Sequence, residues 1–171
     1  MITELLVRFT DWLAATSLSR TVAEEFWIVP ALQTVHILSV AVVLAGVVLI
    51  NLRIVGIVDR DEAVRALLDR FLRPIALAVV VLAITGFLLI AGEPTRAVFR
   101  VVFWTKMALI VAAFALTWSH QAAYRPLGDG AVVVAGPVRK LVALAALLLW
   151  LAVIVAGRWI AYVEAWPGAP A

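Results

Sequence analysis

Long apolar runs, broken by short clusters of charge, proline and glycine, set the rhythm of this chain. Four of the runs are long enough to cross a bilayer, at about residues 26–52, 74–91, 101–124 and 137–163. Each offers roughly 18–27 residues, against the roughly 20 that a hydrocarbon core about 30 Å thick requires. In lipid a backbone N–H must find its acceptor within its own segment, so each run is expected as an α-helix. Short connections between successive runs then predict an all-α, up-and-down bundle of four transmembrane helices, one membrane domain over residues 1–171.

Outside the runs the pattern changes period. Ile2, Leu5, Leu6, Phe9, Trp12 and Leu13 recur at helical spacing, with Thr3, Glu4, Arg8 and Asp11 between them. Within residues 1–20 this predicts an amphipathic helix lying in the membrane interface; a frayed terminus is the plainer alternative. Arg8 and Asp11 interrupt any apolar core of a signal peptide. Residues 61–72 read as a second surface helix, placed between the first two runs. Thr21-Val22-Ala23-Glu24 has capping-box spacing and is expected to start the helix leading into the first run. Pro30 then either kinks that helix or marks where its spanning part begins. Pro74 and Pro137 fall near the first turns of the second and fourth runs, where a missing N–H costs little. Gly92-Glu93-Pro94 closes the second run, and Pro126 with Gly128-Asp129-Gly130 closes the third.

Composition agrees with lipid as the solvent. The 171 residues are 65% hydrophobic and 15% charged, with a mean hydropathy of +1.11. A soluble domain has about 45–50% apolar and about 25% charged residues, so a disordered chain and a soluble enzyme are both excluded. With no cysteine, disulfides, thiolate metal sites, iron–sulfur clusters and cysteine nucleophiles are excluded as well. The net charge of +3 and pI near 10.0 do not indicate nucleic acid, because the basic residues sit between apolar runs and serve orientation. Arg53, Arg60, Arg65, Arg70, Arg73, Arg125, Arg139 and Lys140 follow the first and third runs. Arg8, Arg20, Arg96, Arg100, Lys106 and Arg158 lie toward the other side. The excess predicts both termini outside the cytoplasm.

Polar residues within a span are costly, which makes them the first candidates for function. The first run holds Gln33, Thr34, His36 and Ser39, with Asn51 and Arg53 at its far end. The third holds Lys106 and His120, and the fourth holds Arg158. Counted along parallel spans, His36 and His120 are offset by roughly 15 Å at 1.5 Å per residue. That offset argues against a haem held by both histidines. On the outer side a cluster is expected instead: His36, Gln33, Lys106, Met107, Arg158 and Tyr162, with Thr85 and Gly86 at similar depth. A histidine with two cations suits an anionic or quinone-like ligand. It also suits the propionates of haem b, with His36 as the metal ligand and Met107 as a second. The ordinary alternative has Lys106 and Arg158 snorkelling to the headgroups while His36 and Gln33 bond across the bundle.

Other signals carry less. His120 beside Trp118 and Tyr124 reads as interfacial, and Trp12, Trp27, Trp104, Trp159 and Trp166 fit an aromatic belt. Ala41, Ala45 and Gly46 fit close helix packing. There is no HExxH, no phosphate loop and no nucleophile–base pairing, so no catalytic residue is assigned. With Met1 and Met107 the only thioethers, copper transport fits poorly.

Several of these residues also form a familiar pattern. Trp27-x-x-Pro30-x-x-Gln33-Thr34-x-His36, Asn51-Leu52-Arg53-Ile54-x-Gly56 and Thr85-Gly86-Phe87 begin it. Phe99-Arg100, Lys106, Ser119-His120 and Gly157-Arg158-Trp159-Ile160-Ala161-Tyr162 complete it. Over nearly its whole length the chain resembles an uncharacterised family of small bacterial integral membrane proteins. That family usually carries Glu at position 33 and Asp at position 51, so this chain lacks two of its carboxylates. The resemblance implies four spans in a bacterial inner membrane and brings no activity. Two functional expectations stand. One is electron transfer, or haem or quinone binding, at the outer polar site. The other is an accessory or scaffold subunit that packs against a larger membrane complex or its own copies.

Overall fold

A computed structural model describes residues 2–58, 64–124, 135–160 and 162–163. Its elements, all helical among the described residues, are α1 (Ile2–Ala14), α2 (Ser17–Glu24), α3 (Ile28–Val55), α4 (Val64–Gly92), α5 (Pro94–Val98), α6 (Val101–Tyr124) and α7 (Pro137–Trp159). Four of them, α3, α4, α6 and α7, are long and apolar enough to cross a membrane. The chain is an all-α polytopic bundle. α3 packs along α4, α6 along α7, and α7 returns onto α3, while α4 and α6 meet only lightly. The starts of α3 and α6 and the ends of α4 and α7 share one end of the bundle, the near end, where α1, α2 and α5 gather. The other is the far end.

Residue size decides how closely the helices approach. Had Gly46 a Cβ, it would stand 2.8 Å from Ile75 Cδ1 and 3.4 Å from Phe71 Cβ, so α3 and α4 meet where α3 has no side chain. Between α6 and α7, the Trp150 ring stands edge-on to Phe114 at 5.2 Å, and its Nε1–H donates to Thr117 Oγ1 at 3.2 Å. α3 ends in a Schellman turn. Gly56 takes φ 90°, its N–H donates to the Arg53 carbonyl, and the Ile57 N–H donates to that of Leu52. Such a turn needs a left-handed residue, and glycine takes that conformation without strain.

Three expectations about local structure change. Residues 64–72 and the second span form one helix, with Pro74 inside it; 61–63 lie outside the described residues. Pro74 removes the bond to the Arg70 carbonyl. The helix nevertheless continues, because Val64, Leu67, Leu68, Phe71, Ile75 and Ala78 make one unbroken stripe in the core on both sides of it. The Thr21 capping box does not start the first span. Thr21 lies inside α2, whose N-cap is Thr16, with Thr16 Oγ1 accepting from the Ser19 N–H at 3.1 Å. The spanning helix begins at Ile28, so Pro30 falls in its first turn.

The N-terminal amphipathic region proves to be two helices with two kinds of apolar face. Thr10 and Leu13 turn into the protein, whereas Leu5, Phe9 and Trp12 are exposed on the side that suits lipid. Thr10 is buried without penalty because its hydroxyl donates to the Leu6 and Val7 carbonyls of its own helix. The glycine-marked turn at 126–130, Trp166, Arg60 and Arg125 lie outside the described residues.

α2 docks on the end of α4. Buried Ser19 Oγ donates to the Ala91 carbonyl at 2.6 Å, one of the last carbonyls of α4, which lack an acceptor role within the helix. Ser19→Ala is expected to cost about 1–2 kcal/mol, read as a lower unfolding midpoint in detergent, whereas Ser19→Thr retains most of the stability.

Candidate functional site

The polar residues expected at the outer side divide into a bundled group and a rim. His36 lies eight residues into α3 and Thr85 seven residues before the end of α4, depths of roughly 10–12 Å at 1.5 Å per residue. Antiparallel packing of α3 and α4 brings them together, with His36 Nδ1 2.8 Å from Thr85 Oγ1. Thr85 also donates to the Val81 carbonyl at 2.7 Å. A hydroxyl has one proton. Both contacts are satisfied together only when that proton goes to Val81 and the Nδ1–H donates to Thr85, which in the neutral imidazole leaves Nε2 with its lone pair.

The α6–α7 pair contains the same device. There Thr117 Oγ1 donates to the Ala113 carbonyl at 2.8 Å and accepts from Trp150 Nε1–H. An indole nitrogen can only donate, so that arrangement has a single direction.

Lys106 enters from the opposite helix pair. It stands five residues into α6, and its half-buried side chain lies along Gly157 of α7. A Cβ at Gly157 would be 3.4 Å from Nζ and 3.5 Å from Cε. An alanine there would meet the lysine side chain in ordinary van der Waals contact. Lys106 is within Coulombic reach of His36. Among the described residues no carboxylate pairs with it. Gly86 leaves room beside the imidazole, since a Cβ there would be 3.6 Å from His36 Cε1.

The remaining expected residues occupy the rim. Arg158 and Tyr162 are exposed and form their own pair, with the guanidinium 5.0 Å from the phenol centroid. Gln33 is exposed on α3, and Met107 is half-buried. Among the described residues no three histidines, cysteines or carboxylates converge. His120 lies near the far end of α6, fourteen residues from Lys106, about 21 Å along the helix.

Arg100 was not expected at the site. It precedes α6, donates through Nη1 to the Ile160 carbonyl just beyond α7, and keeps a buried Nε with no partner among the described residues. A cation on the last carbonyls of a helix suits the negative end of its dipole. Its pairing with Phe99, one of the most buried side chains in the protein, was the only sequence signal.

Thr85→Val keeps the shape of the side chain and removes the acceptor of the imidazole proton. A loss of about 1–3 kcal/mol in detergent unfolding is expected, and Thr85→Ser should restore most of it.

Over residues 9–163 the chain matches the model of a family described as a family of unknown function (DUF6644). No curated protein and no solved structure matches it.

Proposed function

The chain belongs to that family of unknown function, and we propose that it is an integral membrane protein binding a quinone-type headgroup at the near end of the bundle. One observation carries the reading: an imidazole tied down through Nδ1 stands near an ammonium that has no acid partner among the described residues. A quinone carbonyl needs a donor, and the Lys106 ammonium offers three. The hydroxyl of the reduced form needs an acceptor, and Nε2 of the Thr85-bound tautomer provides one. Donor and acceptor come from facing helix pairs, so a flat ring entering from the lipid meets both. Exposed Arg158, Tyr162 and Gln33 serve at the entrance in this reading.

Haem b is the competing ligand, with His36 as axial ligand and Lys106 toward a propionate. The position of His120 near the far end of α6 favours the quinone, since a second imidazole is not at the level of His36. The purified protein should quench its tryptophan emission saturably with a short-chain quinone in detergent. His36→Ala and Lys106→Met should each weaken binding about tenfold or more, about 1.4 kcal/mol. Equal affinity in both variants would contradict the proposal. A Soret band that disappears in His36→Ala would replace the quinone by haem.

The same reading places the near end outside the cytoplasm of a bacterial inner membrane, supported by the excess of Lys and Arg in the connections at the other end. The absence of cysteine makes a direct check simple. A single cysteine at Glu4 should react with a membrane-impermeant maleimide in intact spheroplasts, and one at Asp69 only after lysis. The reverse labelling would invert the topology.

A further inference from the structure

The far end of the bundle gathers a second set of polar side chains, independent of the His36 site. Tyr124 is the last residue of α6, Arg53 lies in the last turn of α3, and Arg139 lies in the first turn of α7. Tyr124 is 3% exposed, yet its hydroxyl has no hydrogen-bond partner among the described residues. A buried hydroxyl left in that state is costly. The Arg139 guanidinium lies 5.5 Å from the centroid of the Tyr124 ring. Arg53, 4% exposed, adds a second positive charge within Coulombic reach of the same tyrosine.

The start of α7 has the opposite of the usual charge arrangement. A helix N-terminus presents unpaired N–H groups and a partial positive charge, normally met by a capping oxygen or an acid. Here Gly136 supplies no side-chain cap, Pro137 follows it, and no acid stands in the first turn. Arg139 and Lys140 stand there instead. The α7 dipole, the Arg139 guanidinium, Arg53 and the Tyr124 phenol therefore gather in one region. An oxyanion would meet the dipole and the Arg139 guanidinium and accept from the phenol.

We propose that this region binds the phosphate group of an anionic phospholipid. Arg139 and the α7 N–H groups contact the phosphate oxygens, Tyr124 donates its hydroxyl proton to one of them, and Arg53 contributes charge from behind. Depth selects lipid over free phosphate: each of the three residues stands in a terminal turn of a membrane-length helix, the level at which headgroups lie.

The test uses the full chain in detergent, titrated with phosphatidylglycerol or phosphatidylcholine and read by native mass spectrometry and thermal unfolding. Phosphatidylglycerol should bind about tenfold more tightly. Arg139→Gln should abolish that preference, and Tyr124→Phe, which keeps the ring, should reduce it severalfold. Arg73→Gln, the same charge change at an exposed residue of α4, and His36→Ala should leave it intact. Equal binding of the two lipids would overturn the proposal. So would a preference that survives both site variants, or one that Arg73→Gln weakens as much as Arg139→Gln. If inorganic phosphate alone gives the full stabilisation with the same variant dependence, the site takes soluble phosphate and the lipid assignment falls.

Discussion

The bundle depends on one constraint, that a polar hydrogen facing hydrocarbon must find its acceptor within the chain. The hydroxyls of Thr34, Ser39, Thr105 and Thr117 each donate to the carbonyl four residues earlier, and Asn51 does the same through Nδ2. Satisfied in this way, the hydroxyls cost the membrane helices little, whereas Asn51 keeps a buried Oδ1 without a partner among the described residues. A hydroxyl so engaged still has lone pairs to give. Thr85 and Thr117 use theirs to receive a ring N–H from the neighbouring helix, His36 in one pair and Trp150 in the other. The α3–α4 and α6–α7 pairs are therefore each tied by one hydroxyl acting in both directions.

That economy separates structural polarity from the polarity available to a ligand. At the near end, what is left over is Nε2 of His36 and the Lys106 ammonium, an acceptor and a donor. At the far end it is the Tyr124 hydroxyl beside Arg139 and Arg53, a donor among cations, together with Asn51 Oδ1 near the end of α3. The two ends are thus chemically unlike, one suited to a neutral ring with oxygen atoms and the other to an anion. Arg100 belongs to neither. It holds the end of α7 against the start of α6, and so keeps Gly157 where Lys106 can lie along it.

Much of this was legible in the residues. The four long helices follow from run length and hydropathy, and His36 and Lys106 stand out because few other polar groups lie within a span. Thr85 was visible only as a residue at similar depth. Its role depends on the register of α3 against α4, which Gly46 and Ile75 set by contact and which no periodicity encodes. Pro74 reads as a helix start because local rules know nothing of the stripe from Val64 to Ala78. Thr21 has the spacing of a cap, but Thr16 competes for the same stretch of chain and wins. Arg158 was grouped with Lys106 on depth alone; the helical phase of α7 turns it outward to Tyr162. Tyr124 entered the sequence reading only as a neighbour of His120, and its burial without a partner among the described residues is what marks it out.

The account rests on which nitrogen of His36 carries the proton. Solid-state nitrogen-15 NMR of histidine-labelled protein in bilayers reads this directly, with His120→Gln leaving a single signal to assign. The account predicts a protonated Nδ1 and a bare Nε2 at neutral pH, with Thr85→Val removing the tautomer preference. A proton on Nε2 with Nδ1 bare, unaffected by Thr85→Val, would contradict it.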